Sequence, residues 1–208
     1  MNKIFEKYSY HHGNLKEALI HSAQIILLEE GDKELSMRKI AKFANVSAAA
    51  PYRHFEDLDH LIYELVERGY KKLTENVASV KRKNIGYPLV QLKKAGIAYV
   101  KFAFANQNLY KLMFEYEFPK NSIYKSVNEL QREPYSIICD LIRECRNDGM
   151  INARSAKKAA FTAWILIHGF VLLIFGNQSF LKRLRKRDLS RIIQDQLEFW
   201  YKGIKKQD

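Results

Sequence analysis

Apolar residues recur every three or four positions along most of the chain, a spacing that predicts amphipathic helices and not strands. An opening helix is expected from Asn14 to Glu30, with Gly31 after its end. Five further helices are expected over residues 88–106, 108–116, 122–148 with a bend near Pro134, 155–175 and 189–204. Only 9 Gly and 4 Pro leave little room for the turns of a β-protein. We therefore predict an all-α fold.

Residues 36–55 have the pattern of two short helices joined by a tight turn. Ser36 is a good N-cap for the first helix, and Asn45 tolerates the left-handed backbone that would close it. Ser47 is expected to cap a second helix that ends at Phe55. This spacing is typical of a helix-turn-helix. The apolar stripe of the first helix is expected to consist of Ile40, Ala41, Phe43 and Ala44.

The second of these helices carries side chains suited to DNA. Residues 47–49 are small enough to let the backbone approach base edges, and residues 52–54 supply Tyr, Arg and His donors for phosphate oxygens. The segment 36–55 contains four Lys or Arg and no Asp or Glu, which favours a polyanionic partner. The alternative is a plain helical hairpin of another all-helical protein. The predicted DNA contacts are Ser36, Arg38, Lys39, Ser47, Ala48, Ala49, Tyr52, Arg53 and His54.

A series of motifs in order along residues 10–73 extends this interpretation. They are the opening helix, Ser36–Ala41, Ala44–Ser47, Tyr52–Phe55 and the start of a long helix at Asp57. Together they resemble the N-terminal DNA-binding domain of the TetR family of bacterial transcriptional regulators, end to end. The sequence departs from the family pattern at Asn45, where Gly is usual, and at Leu58, where a Lys that clamps the DNA backbone is common. Loss of this cation should weaken non-specific DNA affinity or shift the clamp to another basic residue.

The second half of the chain carries a separate set of motifs. Tyr99–Ala103, Asn108–Phe114 and Trp164 with His168–Gly169 resemble the effector domain of one TetR branch, which has a Trp–His–Gly motif. Tyr10–Leu15 and Ala49–Tyr52 resemble the same branch.

The resemblance implies two domains. Residues 10–75 would form the helix-turn-helix DNA-binding domain, with its motif at 36–55, and residues 76–208 the effector-binding and dimerisation domain. The polar and basic segment 75–86 is expected to be a linker or helix end between them.

An apolar and aromatic effector pocket with a few polar tips is expected among the later helices. Core packing is the competing interpretation for each candidate. His168 in particular also fits a core histidine whose ring nitrogens are hydrogen-bonded. Gly169 would then permit close contact between helices. The candidate pocket residues are Tyr99, Phe102, Met113, Phe114, Phe118, Tyr135, Trp164 and His168.

In the TetR family the last two helices pair with their twofold mates as a four-helix dimer interface. The final helix carries an apolar stripe that must be buried, and we expect a partner subunit to cover it. The implied interface residues are Phe170, Leu173, Ile193, Leu197 and Trp200.

The net charge of +12 does not by itself indicate DNA binding. Residues 1–80 hold 11 Lys plus Arg against 12 Asp plus Glu, and residues 81–208 hold 24 against 11. The excess includes Lys81–Lys83 and the run Lys182–Arg187. Solvated loops are one interpretation of these runs, and long-range attraction to DNA, an anionic effector or a lipid surface is the other.

Other classes of protein fit the sequence less well. Residues 159–176 are uncharged and at the lower limit for a membrane span, but His168 at their middle favours a buried helix covered all round, with one face toward a partner subunit. The sequence contains no Walker, GxSxG or HExxH motif, and an enzyme is therefore not expected. His11, His12 and His21 cannot converge on a metal from one helix, so neither a metal nor a cofactor is expected.

Cys139 and Cys145 lie off each other's helical face, so no disulfide is expected, and two sparse thiols suit a reducing cytoplasm. The N-terminus lacks the apolar run of a secretory signal. A helical lipid- or membrane-surface-binding module using the basic loop remains the alternative function.

The sequence thus predicts a cytoplasmic, homodimeric, ligand-responsive transcriptional regulator and not an enzyme. It is expected to act as a repressor on a palindromic double-stranded DNA operator. The implied effector is a small molecule compatible with apolar and aromatic walls.

Overall fold

A computed structural model of the chain describes residues 14–83, 85–119, 127–152, 154–176 and 186–205. Over these residues it contains eight α-helices, which confirms the predicted all-α fold. They are α1 Leu15–Glu29, α2 Met37–Phe43, α3 Leu58–Lys83, α4 Pro88–Ala105, α5 Gln107–Glu115, α6 Val127–Asn147, α7 Ala156–Gly176 and α8 Lys186–Ile204. The motif at residues 10–13, the helix start predicted at Ser122 and residues 182–185 of the basic run lie outside the described residues.

Local capping explains where several of these helices begin. Asn14 Oδ1 accepts from the backbone N–H of Glu17 at 3.3 Å, and Ser36 Oγ accepts from that of Lys39 at 3.3 Å. Asp57 Oδ1 accepts from the backbone N–H of His60 at 2.8 Å, so the aspartate caps α3. Each cap satisfies a backbone donor that the helix itself leaves without a partner.

Helices α1 and α2 pack with the first half of α3 around one apolar core. Two ion pairs also join α1 to α3: Arg68 holds Glu17 through two hydrogen bonds of 2.5 and 2.8 Å, and Lys16 Nζ lies 2.5 Å from Glu64. The hydrogen bonds from Arg68 lower the pKa of Glu17. The fully buried members of this core include Leu19, Ile20, Ile26, Ile40, Phe55 and Leu61.

Helix α3 continues through residues 75–83, where the sequence suggested a linker or helix end. The prediction of a linker was wrong because the apolar stripe of α3 persists in this segment: Val77 is buried against α4 and α6. Lys81 Nζ also pairs with Glu144 on α6 at 2.6 Å. Helix α3 therefore belongs to the N-terminal core at one end and to the C-terminal bundle at the other.

Helix α4 lies at the centre of the C-terminal bundle, in contact with α3, α6, α7 and α8. Gly96 makes the approach of α8 possible, because a β-carbon at this position would lie 2.8 Å from Leu197 Cδ1 and 3.1 Å from Ile167 Cδ1. After α6, the backbone N–H of Asn152 donates to the carbonyl of Ile204 at 2.7 Å, which ties the end of α8 to the α6–α7 loop.

Within the protomer helix α7 is covered on one side only, and its other side, which was expected from the sequence to meet a partner subunit, is open. One face packs against α4 and α6, while Phe161, Ile165 and Leu173 are at least half exposed. Among the described residues α7 is the one helix long and apolar enough to cross a membrane, with a mean hydropathy of 2.1. Its packing face instead belongs to the bundle, and its open face follows an i, i+4 spacing.

The apolar stripe of α8 corrects another expectation. Ile193, Leu197 and Trp200 are buried inside the protomer, with 5–8% of their surfaces exposed. They pack against α4 and α7 and are already covered without a partner subunit. Of the implied interface residues, Phe170 is half-buried and Leu173 is exposed.

Candidate DNA-binding surface and ligand cavity

The element after α2 is tighter than the predicted second helix. Residues 48–50 form a turn and Pro51–Arg53 a single 3₁₀ turn, so an α-helix from Ser47 to Phe55 was wrong. Proline explains the difference, because it has no N–H to donate to the carbonyl of Ser47 four residues earlier. That carbonyl accepts from the backbone N–H of Ala50 at 3.0 Å instead. Ser47 therefore begins this element through its backbone carbonyl.

The turn between the two elements forms as predicted. Asn45 adopts a φ of 55°, in the left-handed region, and the backbone N–H of Val46 donates to the carbonyl of Ala41 at 3.0 Å. On α2, Ile40 and Ala41 are buried, whereas Phe43 is 39% exposed. The inclusion of Phe43 in the apolar stripe was therefore wrong. Met37 is buried on that side because it lies one turn before Ile40 and Ala41.

Most of the predicted DNA contacts form one exposed surface. Pro51 and Phe55 point into the core and so orient the intervening side chains outward; the Tyr52 side chain is 59% exposed. The surface carries two cations and several small or hydroxyl-bearing residues, which suits phosphate and groove contacts. The exposed predicted residues are Ser36, Arg38, Ser47, Ala48, Ala49, Tyr52, Arg53 and His54.

Lys39 and Leu58 differ from this set. The Lys39 ammonium lies 2.7 Å from both Glu30 and Glu34, which gives it a role in holding α2 to the end of α1. These carboxylates raise its pKa. Leu58 is half-buried and packs against the core at the start of α3. The location favours a packing role at this position, where the family resemblance implied a cation.

A cavity of about 740 Å³ opens between α3, α4, α6, α7 and α8. Its size lies within the range of small-molecule sites, roughly 300–1,000 Å³. Of the predicted pocket residues, Tyr99, Phe114, Tyr135, Trp164 and His168 line it. Phe102 and Met113 do not, because both are buried in the core, and Met113 packs against Gly69. Phe118 contacts Tyr63 and Tyr116 instead.

Several lining residues escaped the sequence analysis. Tyr70 lies on the buried stripe of α3, and Leu197 and Trp200 lie on the α8 stripe that was expected to meet a partner subunit. On α6, Asn128, Gln131 and Arg132 precede Tyr135 at helical spacing. Polar residues on the same face as Tyr135 and Ile138 were the signal that could have revealed this wall.

His168 takes part in a hydrogen-bonded aromatic cluster at the cavity wall. Its Nδ1 lies 2.5 Å from Tyr110 Oη and 3.4 Å from Tyr99 Oη, and the two hydroxyls are 2.8 Å apart. Its ring stacks on Trp164 with a centroid distance of 4.8 Å. Burial lowers the pKa of His168 and raises that of Tyr99 to about 12. His168 is thus both a hydrogen-bonded histidine and a lining residue.

Helix α5 contacts both the cavity and the N-terminal helices. Phe114 lines the cavity, and Tyr70 Oη donates to the carbonyl of Met113 at 2.8 Å. At the start of α5, Asn108 Nδ2 donates to the carbonyl of Leu27 at 2.7 Å. Just after α5, Tyr116 Oη donates to the carboxylate of Asp59 in the first turn of α3. The end of α1 and the start of α3 are therefore fixed to a wall of the cavity.

Comparisons with known proteins point to one family of transcriptional regulators. Residues 92–199 match the family described as tetracyclin repressor-like, C-terminal domain. The uncharacterized HTH-type transcriptional regulator YobS of Bacillus subtilis (strain 168) is 26% identical over 165 residues, 78% of this chain and 80% of YobS. A protein of unknown function from Rhodococcus sp. RHA1 has a TM-score of 0.82 and 26% identity, over 96% of this chain and all of that one.

The TetR family transcriptional regulator PfmR from Thermus thermophilus shares the fold, with a TM-score of 0.68 and 15% identity over 92% of this chain and 97% of that one. The family match spans more than half of the chain, and the chain belongs to the TetR family of transcriptional regulators. This confirms the predicted function, a ligand-responsive DNA-binding regulator, and does not favour the membrane-surface alternative. The family is generally non-enzymatic, and its members bind DNA and small-molecule effectors and form dimers.

Proposed function

We propose that the protein is a cytoplasmic, homodimeric repressor that leaves a palindromic operator when a small molecule fills the cavity. Residues 10–75 would serve as the DNA-binding domain and residues 76–208 as the effector-binding and dimerisation domain. The observation that carries this proposal is the double attachment of α5, to the cavity through Phe114 and to the N-terminal helices through Asn108 and Tyr116.

The DNA contacts would come from the exposed surface around the 3₁₀ turn. Ala48 and Ala49 present only methyl groups at its start, so that the backbone can approach base edges in the major groove. Tyr52 and Arg53 follow with donors that suit phosphate oxygens. In a twofold dimer, two such surfaces would enter successive major grooves roughly 34 Å apart.

Effector control would follow from a difference in affinity between two conformations. A ligand that prefers a cavity shape in which α5 has shifted would also move the end of α1 and the start of α3, because Asn108 and Tyr116 are bonded to them. The spacing of the two DNA-facing surfaces would then no longer match the operator. The ligand acts only to the extent that it binds the second conformation more tightly.

Selection of duplexes from a random DNA pool by the full chain tests the proposal. We expect enrichment of a palindrome with half-sites about one helical turn apart. Ala49→Asp should abolish this enrichment, because it places an anion on the groove-facing surface. Ala105→Asp, the same change at an exposed alanine at the end of α4, is the matched control and should select the wild-type sites. Tight binding of the palindrome by Ala49→Asp would contradict the assigned surface.

A further inference from the structure

The lysine and arginine side chains that line the cavity are not matched by any acidic residue among the described lining residues. Among the described residues its wall includes two cations, Lys93 and Arg132, and no Asp or Glu. Lys93 is neutralised locally, since its ammonium lies 2.5 Å from Glu198 and 5.0 Å from the centre of the Tyr201 ring. Arg132 forms no ion pair within the part of the chain that the structure describes. The cavity therefore presents one uncompensated positive charge.

The polar side chains that α6 contributes to the wall lie together on its outer side. Asn128, Gln131 and Arg132 occupy neighbouring positions in the first turns of α6 and are exposed, so they belong to the mouth. A guanidinium beside two side-chain amides is a set of donors that suits a planar carboxylate.

The inner wall has the opposite character. Leu73 and Leu92 lie there with the rings of Phe114 and Trp164. Tyr99 and His168 are hydrogen-bonded to Tyr110, and the buried Trp200 Nε1 is an uncharged donor without a partner among the described residues. A second charged group on the ligand would find no oppositely charged side chain among the described residues of this inner wall, and burying it would be costly. The inner part of the cavity thus selects for an apolar body.

We propose that the cavity binds an amphipathic carboxylic acid, with the carboxylate at Arg132 and an aliphatic or aromatic body along the inner wall. The inference rests on the cavity being the effector site of the proposed function and specifies the chemical class of that effector. An ammonium ligand is disfavoured because it would meet the Arg132 charge and find no carboxylate among the described lining residues. A neutral ligand would leave the Arg132 donors to water.

The two tryptophans of the chain, Trp164 and Trp200, both line the cavity and report directly on its occupancy. A bromine atom quenches tryptophan fluorescence on contact, so ω-bromoundecanoate is a suitable probe, below its micelle concentration and at neutral pH. The neutral ω-bromoundecanol and the cationic ω-bromoundecyltrimethylammonium have the same body. We expect the acid to quench at concentrations about tenfold lower than the alcohol, as one charge-assisted hydrogen bond predicts, and the cation to bind most weakly.

Arg132→Gln should reduce the affinity for the acid by about tenfold and leave that for the alcohol unchanged. The matched control is Arg146→Gln, at an exposed arginine of the same helix that is not among the residues lining the cavity. It should bind the acid as the wild type does. Both variants remove one positive charge, so a general electrostatic effect would appear in both.

Equal affinity for the acid and the alcohol, an unchanged acid affinity in Arg132→Gln, or quenching by none of the probes would each overturn the proposal. Operator binding, measured without ligand on a selected duplex, is independent of these results. If the acid binds as expected and the duplex is not released, the effector role fails and the ligand class stands. If the duplex never binds, the DNA-binding proposal fails by itself.

Discussion

A single proline determines the shape of the DNA-facing element. Pro51 cannot donate to the carbonyl of Ser47, and the chain closes a 3₁₀ turn where an α-helix was expected. The same residue is buried, and with Phe55 it holds the exposed side chains between them in place. The exposure of these side chains could be predicted from the sequence, because their pattern of small and donor groups is local. The backbone geometry does not follow from that pattern, because the pattern leaves out the N–H that Pro51 lacks.

Tyr52→Phe should weaken binding to all duplexes alike. The lost hydroxyl is assigned to a phosphate, which positions the protein and carries no sequence information. A net loss of about 0.5–1.5 kcal/mol is expected from one hydrogen bond. Fluorescence anisotropy on a selected duplex and on several mismatched ones measures the change, with Tyr87→Phe, at an exposed tyrosine beside α4, as the control. Altered base preference with affinity retained would contradict the phosphate assignment.

His168 should make the folded protein less stable as the pH falls. Its pKa in the fold is lowered from 6.5 by burial, so the unfolded chain binds more protons below that pH. The stability that neutral His168 contributes is therefore present above pH 6.5 and is lost as the pH falls toward the folded pKa. Denaturant midpoints between neutral and acidic pH measure this loss. His168→Gln cannot titrate and should show a shallower decline; equal declines would rule out His168 as its source.

At the scale of single helices, the sequence placed most boundaries within about one or two residues. It did so where caps are local, as at Asn14 and Ser36. It failed in the segment 75–83, whose polar composition resembles a loop. That segment is helical because Val77 and Lys81 find partners on α4 and α6, which no local pattern reveals.

Gly96→Ala should destabilise the protein because α4 and α8 approach closely at this glycine. The new β-carbon would lie 2.8 Å from Leu197 Cδ1 and 3.1 Å from Ile167 Cδ1, so both side chains must shift where α4, α7 and α8 meet. Overpacking of this kind costs roughly 1–3 kcal/mol, partly offset by about 0.5–1 kcal/mol from the better helix former. Gly203→Ala is the control, because a β-carbon there meets nothing within 4 Å. Chemical denaturation of Gly96→Ala and Gly203→Ala then separates the cost of overpacking from the gain in helix propensity. A stabilised Gly96→Ala would show that the helices can separate at no cost.

At the scale of the whole molecule, the sequence could not tell which apolar face closes the protomer and which remains open. Helices α7 and α8 both carry apolar stripes, and either stripe could have met a partner subunit. In the fold the α8 stripe is buried inside the protomer, whereas Phe161, Ile165 and Leu173 on α7 are exposed. Gly169 lies in the same i, i+4 series, and a β-carbon there meets nothing within 4 Å. An open stripe with a glycine at its centre favours the close approach of a second helix.

The expected dimer should therefore depend on α7 and not on the α8 stripe. Ile165→Glu with Leu173→Glu would place two charges in a desolvated interface, several kcal/mol each before relaxation, and the mutated sites are open in the protomer. We expect a monomer with unchanged helical content and an operator affinity close to the non-specific level, since one half-site supplies half of the base contacts.

Leu28→Glu, at a 69% exposed leucine of α1, should remain a dimer. Leu197→Glu should instead unfold the protomer, because this side chain is buried against Gly96. Sedimentation equilibrium with circular dichroism distinguishes these outcomes, and an intact dimer of the α7 double variant would place the interface elsewhere.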